Sequence, residues 1–472
     1  MIVVKCKEEK IRMAAYHLVK AFFPGEEITS ELCEQPETYV SVFKDGAEIC
    51  CIGPSENEKF ACEREMYRQL KAFAGTDLPW GVLTGVRPTK LASAAINKMS
   101  RDEFIRRFNE ERLVSFQKAA LAWDVAEREQ RIIREALGEN DRDEKSFSLY
   151  IGIPVCPSIC SYCSFSSGPL SVWAGRMDDY VDALELELKL TAETIGSRHL
   201  TSVYIGGGTP TVLTPAQLGR LMDTIERCFD LENVLEYTFE AGRADTITEG
   251  KLEIAKRHRV TRLSVNPQTM QQKTLDLVGR AHSVEQVEEA FALAREMGFT
   301  NINMDIIAGL PGETAADMQD TLAKIAALGP ESLTVHSLAI KRAARLERQS
   351  AGAAETEQMV ELAYKAAEAM NLNPYYLYRQ KSIAGNFENV GYAREGYEGI
   401  YNIMIMEEVQ SIIACGAGAS SKILLKNEIP NPDRGGKIMT NLLHHSNVKS
   451  IPEYIERAGE MAAAKAELLK YD

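Results

Sequence analysis

The chain has 472 residues, 45% of them hydrophobic and 26% charged, and its 54 Lys+Arg against 68 Asp+Glu give a net charge of −14. At roughly 100–200 residues per domain, this is enough for two to four domains with sizeable cores. The acidic balance argues against a nucleic-acid-coating surface, and no apolar run approaches the ~18–20 residues of a membrane span.

The opening residues, Met1-Ile2-Val3-Val4-Lys5-Cys6, lack the basic-then-apolar order of a signal peptide, so a soluble cytoplasmic protein is expected. Residues 1–140 read as a separate mixed α/β unit. A β-branched run, Ile2–Cys6, precedes Ile11, Ala14, Ala15, Leu18 and Phe22 at helical spacing. Tyr39–Phe43 and Glu48–Ile52 flank the turn signal Lys44-Asp45-Gly46, and helical patterns follow near 57–74 and 110–137. The stretch from Gly138 to Lys145 has no apolar side chain and reads as a linker.

From Ser146 the pattern becomes regular. Six β-rich runs, Phe147–Ile153, Ser202–Ile205, Val234–Glu240, Val260–Val265, Asn301–Ile307 and Ser332–Leu338, are each followed by a helical stretch. Met177, Val181, Leu184 and Leu188 form one amphipathic stripe, and capping boxes open helices at Thr214 and Ser283. This alternation predicts an α/β domain over 146–345 with a parallel sheet under helices; periodicity alone does not separate an open sheet from a partial barrel. Residues 346–472 break the alternation from about 375 and read as a smaller C-terminal module.

Seven of the ten cysteines are scattered, and three are bunched as Cys156, Cys160 and Cys163 in a loop after the first strand. Thiolates at spacings of four and three can converge on one metal centre and leave a position open, as catalytic centres do. Three buried thiols, or zinc, are the alternatives, although structural zinc normally takes a fourth ligand.

Cys-x3-Cys-x2-Cys after the first strand of a six-repeat β/α region resembles the radical S-adenosylmethionine (SAM) superfamily. The resemblance implies a partial (β/α)6 barrel, with an N-terminal α/β domain and a smaller C-terminal module. It also implies a 4Fe–4S cluster on the three cysteines, SAM on the fourth iron, and a 5′-deoxyadenosyl radical that abstracts a substrate hydrogen. Gly206-Gly207-Gly208-Thr209-Pro210 resembles the loop for the methionyl end of SAM. Glu240, Gln268, Arg280 and Asp305, with Ile307, resemble the remaining SAM contacts of the coproporphyrinogen III oxidase-like branch, and Tyr150 matches its Tyr-Ile-x-Ile-Pro lead-in. Tyr150 and Glu240 are also the candidate catalytic pair.

Within that branch the HemZ-type subgroup is the most similar. It is carried by Leu83-Thr84-Gly85-Val86-Arg87-Pro88-Thr89-Lys90, by Tyr375–Lys381 and by Gly385–Tyr392. The chain departs from the oxidase proper at Gly152, where the oxidase has His, and at Phe165, where it has a fourth Cys. Phe165 is similar to the heme-chaperone branch, but Tyr401-Asn402 stands where that branch has His-Asn.

Coproporphyrinogen carries four propionates, and Lys341, Arg342, Arg345, Arg379 and Lys381 are the expected cations for them, since Arg forks grip carboxylates. The resemblance therefore implies oxygen-independent oxidative decarboxylation of coproporphyrinogen III to protoporphyrinogen IX. It needs a reducing partner such as flavodoxin or ferredoxin and an unidentified electron acceptor, and involves no nucleic acid. A heme-binding chaperone and another tetrapyrrole-modifying radical SAM enzyme, such as a ring-opening methyltransferase, are the alternative readings.

Overall fold

A computed structural model describes the chain except residues 34–38, 54–59, 139–141, 144, 165–167, 340–351, 381–386, 433–437 and 472. The first 52 residues supply a four-stranded sheet ordered β2-β1-β3-β4: β1 (Ile2–Cys6), β2 (Ile28–Leu32), β3 (Val40–Lys44) and β4 (Ala47–Ile52). Helices α1 (Glu9–Phe22) and α2 (Ala61–Ala74) cover one face, and Leu18, Val19, Met66 and Leu70 are the buried positions of their apolar stripes. Helices α3 (Thr89–Ser93), α4 (Arg101–Arg112) and α5 (Phe116–Leu137) instead join the large core, through Ala92, Phe104, Phe108 and Trp123.

The second sheet has eleven strands. Its centre is six parallel strands paired in chain order, β5 (Ser146–Ile153), β8 (His199–Gly207), β9 (Glu236–Gly242), β10 (Arg262–Val265), β11 (Ile302–Ala308) and β12 (Ser332–Ser337). Between β5 and β8 lie a two-stranded pair, β6 (Val155–Cys156) and β7 (Gly168–Pro169), and helices α6 (Leu170–Trp173) and α7 (Met177–Ile195). Crossover helices α8 (Pro215–Cys228), α9 (Glu249–Arg257), α10 (Gln272–Leu277), α11 (Val284–Glu296) and α12 (Ala315–Leu328) follow the later strands. Val181, Leu184 and Leu188 of α7 are fully buried, each contributing about 1.5–3 kcal/mol. Both expected capping boxes are formed, at Thr214 with Gln217 and at Ser283 with Gln286.

The parallel strands do not close on themselves. Beyond α13 (Ala353–Ala369), the pair β13 (Asn373–Arg379) and β14 (Glu388–Ala393) extends the sheet antiparallel past β12. After α14 (Ile400–Glu407), β15 (Ser411–Cys415) lies parallel to the free edge of β5, followed by β16 (Ser420–Pro430) and β17 (Met439–Ser446). The architecture is thus α/β with a partial barrel, and the C-terminal residues extend both edges of its sheet.

The last helix, α15 (Ile451–Leu469), is fastened to α7 by a buried polar network. Lys465 and Glu187 are both 0% exposed, with Nζ 2.6 Å from Oε1. The same carboxylate accepts from Tyr454, Asn447 and the Gly416 N–H, while Lys465 also donates to the Ala414 carbonyl. Tyr180 of α7 donates to the Gly152 carbonyl (2.7 Å), so this network reaches the strand that leads into the cysteine loop.

Candidate active site

The carboxyl ends of the parallel strands surround a cavity of about 440 Å3, which Cys156, Cys160 and Cys163 line from one side. None of the three is in a disulfide; Cys160 is buried and the other two are partly exposed. Their loop is held from several directions: Cys163 N–H donates to the Cys160 carbonyl (3.0 Å), and Ser161 N–H to the Val278 carbonyl (2.9 Å). Arg243 Nη1 reaches the Ser158 hydroxyl (2.7 Å) while its other nitrogens grip Asp245. Arg280 is buried beneath the loop, donating to the Asn266 carbonyl, to Tyr162 (3.2 Å) and, at 3.9 Å, toward Cys160 Sγ.

The spacing of the thiols bears on the zinc alternative. With Zn–S bonds of about 2.3 Å, thiolates on one tetrahedral ion stand about 3.8 Å apart. Among the described residues the cysteines do not form a group with all donor atoms within 4.8 Å of one another. A cluster, whose thiolates sit on different metal atoms, suits this wider arrangement. The glycine turn leaves room beside it: a Cβ on Gly208 would stand 2.7 Å from the Val155 carbonyl and 2.9 Å from Cys156 Sγ. Gly207, at φ +115°, directs its N–H at Glu240 Oε2 (3.3 Å).

Glu240 sits in the last half of β9 and accepts from the Tyr204 hydroxyl. Burial pushes its carboxyl up to about 7, Asp305 adding repulsion, against the pull of Tyr204 and the Gly207 N–H. Asp305 behaves oppositely: burial alone would raise it, but His336, Asn303 and Thr334 hold it below the usual carboxylate range. Gln268 adopts a left-handed backbone (φ +68°) that glycine or Asn would favour, pinned by its N–H to the Asp305 carbonyl (2.9 Å). Strain held in place at a cavity wall is a mark of a functional position. Tyr150 stacks against Tyr204 (6.0 Å between ring centres), and Tyr204 against Tyr401 (4.5 Å).

The structure thus gathers Tyr150, Gly207, Gly208, Thr209, Glu240, Gln268, Arg280, Asp305 and Ile307 around the three cysteines, all lining one cavity. Pro210 is buried in the turn behind Thr209 and does not line it. Phe165, Lys341, Arg342, Arg345 and Lys381 lie outside the described residues. Arg379 is a correction to the expected cation set. It is 3% exposed, absent from the cavity wall, donates Nη1 to the Leu83 carbonyl (2.8 Å), and lies over the Trp80 ring. Burial lowers its guanidinium to about 10. Its backbone N–H donates to the Val86 carbonyl (2.8 Å).

Tyr204 and Asn303 were not singled out from the sequence. Both are polar residues at inward positions of otherwise apolar parallel strands, and that break in the apolar run is the signal that marks them. His336 and Tyr378 face the same cavity, with Tyr378 Oη 3.5 Å from His336 Nδ1.

A cysteine loop, a glycine turn and polar strand ends converging on the open mouth of a partial barrel define a radical SAM protein. The Radical SAM superfamily model matches residues 150–325. The oxygen-independent coproporphyrinogen-III oxidase-like protein HemZ of Bacillus subtilis is 39% identical over 460 residues, covering 92% of this chain and 88% of that protein. Heme chaperone HemW of the same organism is 38% identical over 195 residues, covering 41% and 51%. The solved coproporphyrinogen III oxidase HemN of Escherichia coli shares the fold, with a TM-score of 0.55 at 23% identity over 68% of this chain and 71% of that one. The chain belongs to the radical SAM superfamily and, within it, to the coproporphyrinogen oxidase-like family that includes HemZ. That superfamily uses a 4Fe–4S cluster and SAM, and three cysteines beside a glycine cradle fit such a pair. Among the described residues no helix is long and apolar enough to cross a membrane.

Proposed function

We propose that the protein carries out oxygen-independent oxidative decarboxylation of coproporphyrinogen III to protoporphyrinogen IX. Two propionates each lose a hydrogen atom, CO2 and one electron to become vinyl groups. The observation that carries the reading is the single cavity joining the three cysteines to His336, Tyr376 and Tyr378 on the far strands. Its support is the family and the similarity to the Escherichia coli oxygen-independent coproporphyrinogen III oxidase, 33% identical over 196 residues, 42% of each chain.

Cys156, Cys160 and Cys163 hold the cluster in this reading, and Gly207, Gly208, Thr209, Glu240, Gln268, Arg280, Asp305 and Ile307 contact SAM. When bound, the pair supplies one-electron cleavage and hydrogen abstraction. The chain's own part is placement. Arg280 fixes the cysteine loop from below, Gly208 lets backbone approach the cofactors, and Asp305 keeps an anionic acceptor on the β11 wall. Glu240, near neutrality, can hold or release a proton against Tyr204. Flavodoxin or ferredoxin supplies the reducing electron, an unidentified acceptor takes the last one, and the reaction runs in the cytoplasm.

The test is an anaerobic assay of the cluster-loaded protein with reductant, SAM and coproporphyrinogen III, following 5′-deoxyadenosine and porphyrin mass together. Deoxyadenosine in step with loss of two carboxyl groups is the expected result; deoxyadenosine with unchanged porphyrin overturns the substrate. A second reading, heme binding without turnover, draws on the similarity to HemW. It is opposed by Tyr401, whose ring is 5% exposed and stacked on Tyr204 where the chaperone branch has an imidazole. A shifted heme Soret band without SAM cleavage would favour it.

A further inference from the structure

The outer surface of the partial barrel carries a donor set that the proposed reaction does not use. Asp223 and Glu226 stand three residues apart on α8, and so on one face of that helix. His258, just past the last turn of α9, is 4% exposed and packed against both. Its Nε2 lies 3.7 Å from Asp223 Oδ1, and its Nδ1 lies 2.9 Å from Glu226 Oε1. One donor atom from each falls within 4.8 Å of the other two, the only such trio of His, Cys, Asp or Glu among the described residues.

The contact at Nδ1 is short, yet that nitrogen has no hydrogen-bond partner, because the carboxylate oxygen lies off the ring N–H direction. A carboxylate paired with imidazolium lines up on that axis. A co-ligand of a metal ion must lie off it, because the ion itself takes the lone-pair direction. With bonds of about 2.1 Å and the right angle of an octahedral ion, ligand nitrogen and oxygen stand about 3.0 Å apart, close to the 2.9 Å between Nδ1 and Oε1. The Tyr237 hydroxyl, in the field of Glu226, is a second buried polar atom without a hydrogen-bond partner.

We propose that Asp223, Glu226 and His258 form a site for one divalent transition-metal ion of the Mn2+ or Zn2+ kind, separate from the cysteine-lined cavity. One imidazole with two carboxylates suits these ions, whereas thiolate donors select softer ones. The carboxylates are 56% and 40% exposed, so water completes the coordination. The bound ion ties α8 to α9, the helices on either side of β9, the strand that carries Glu240.

The full chain, stripped by chelator, is titrated with Mn2+, and the free ion is read from its six-line EPR spectrum. Mn2+ prefers oxygen and nitrogen donors, which keeps the cysteines out of the titration. One ion per chain is expected, both in the wild type and in Cys160→Ala. Asp223→Asn and Glu226→Gln should each weaken binding at least tenfold, and because both positions face solvent the variants should keep the wild-type circular dichroism melt without metal. A wild type with no saturable ion, or carboxamide variants that bind as it does, overturns the site. The outcome does not depend on turnover, so it is independent of the substrate assignment.

Discussion

Replacing Glu240 with Gln isolates what a sunken carboxyl costs the fold. Burial raises this group from its ordinary 4.5 to about 7, and at about 1.4 kcal/mol per tenfold change in proton affinity the rise amounts to about 3 kcal/mol. The native state binds this proton more tightly than the unfolded chain does. Its contribution to stability is therefore complete below about pH 4.5 and is lost as the pH climbs to about 7, above which a buried anion must be tolerated. Glutamine keeps the shape and an acceptor for the Tyr204 hydroxyl while removing the charge. Glu240→Gln should match the wild type near pH 4.5 and exceed it by about 3 kcal/mol near pH 8. Urea unfolding of the cofactor-free chain across this range measures the difference directly. A difference that does not change with pH, or a variant less stable than wild type near pH 8, refutes the reasoning.

Cys160→Ala should abolish the brown chromophore of the reconstituted protein, and full iron retention would remove Cys160 from the ligand set. Gly208→Ala places a methyl 2.9 Å from Cys156 Sγ, so iron per chain should fall severalfold while far-UV circular dichroism stays at wild type. Lys465→Met strands the buried Glu187 carboxylate and should cost about 3–5 kcal/mol in urea unfolding. Adding Glu187→Leu to it should not return that loss, because Tyr454, Asn447 and the Gly416 N–H then lose their buried acceptor; a single variant as stable as wild type would show that the ion pair contributes nothing.

The sequence revealed the strands of the barrel more readily than it revealed how the sheet ends. Fully buried parallel strands such as β5, β8 and β11 read as apolar runs, and the helices between them carry capping boxes, so local pattern and global fold agree. That β15 pairs with β5 was invisible, because pairing between distant segments leaves no periodic trace. The same division holds at the site. The cysteine and glycine motifs are local and legible, whereas the left-handed Gln268 is a backbone fact imposed by its bridge to β11. Arg379 showed the converse failure: a cation two residues before Lys381 suggested a carboxylate partner, but the strand turned it onto Trp80 and the Leu83 carbonyl.

The neighbour of β5 that comes from the far end of the chain sets an order of events during synthesis. Ser411 pairs beside Phe147, a separation of about 260 residues, which a ribosome adding about 5–20 residues per second covers in about 13–50 s. Through that interval the strand that leads into the cysteine loop keeps one bare edge, open to mispairing with other chains. Loading of iron and sulfide therefore belongs after release, when β15 has closed that edge and α15 has locked onto α7, and a chain halted before residue 411 should aggregate before it acquires a cluster.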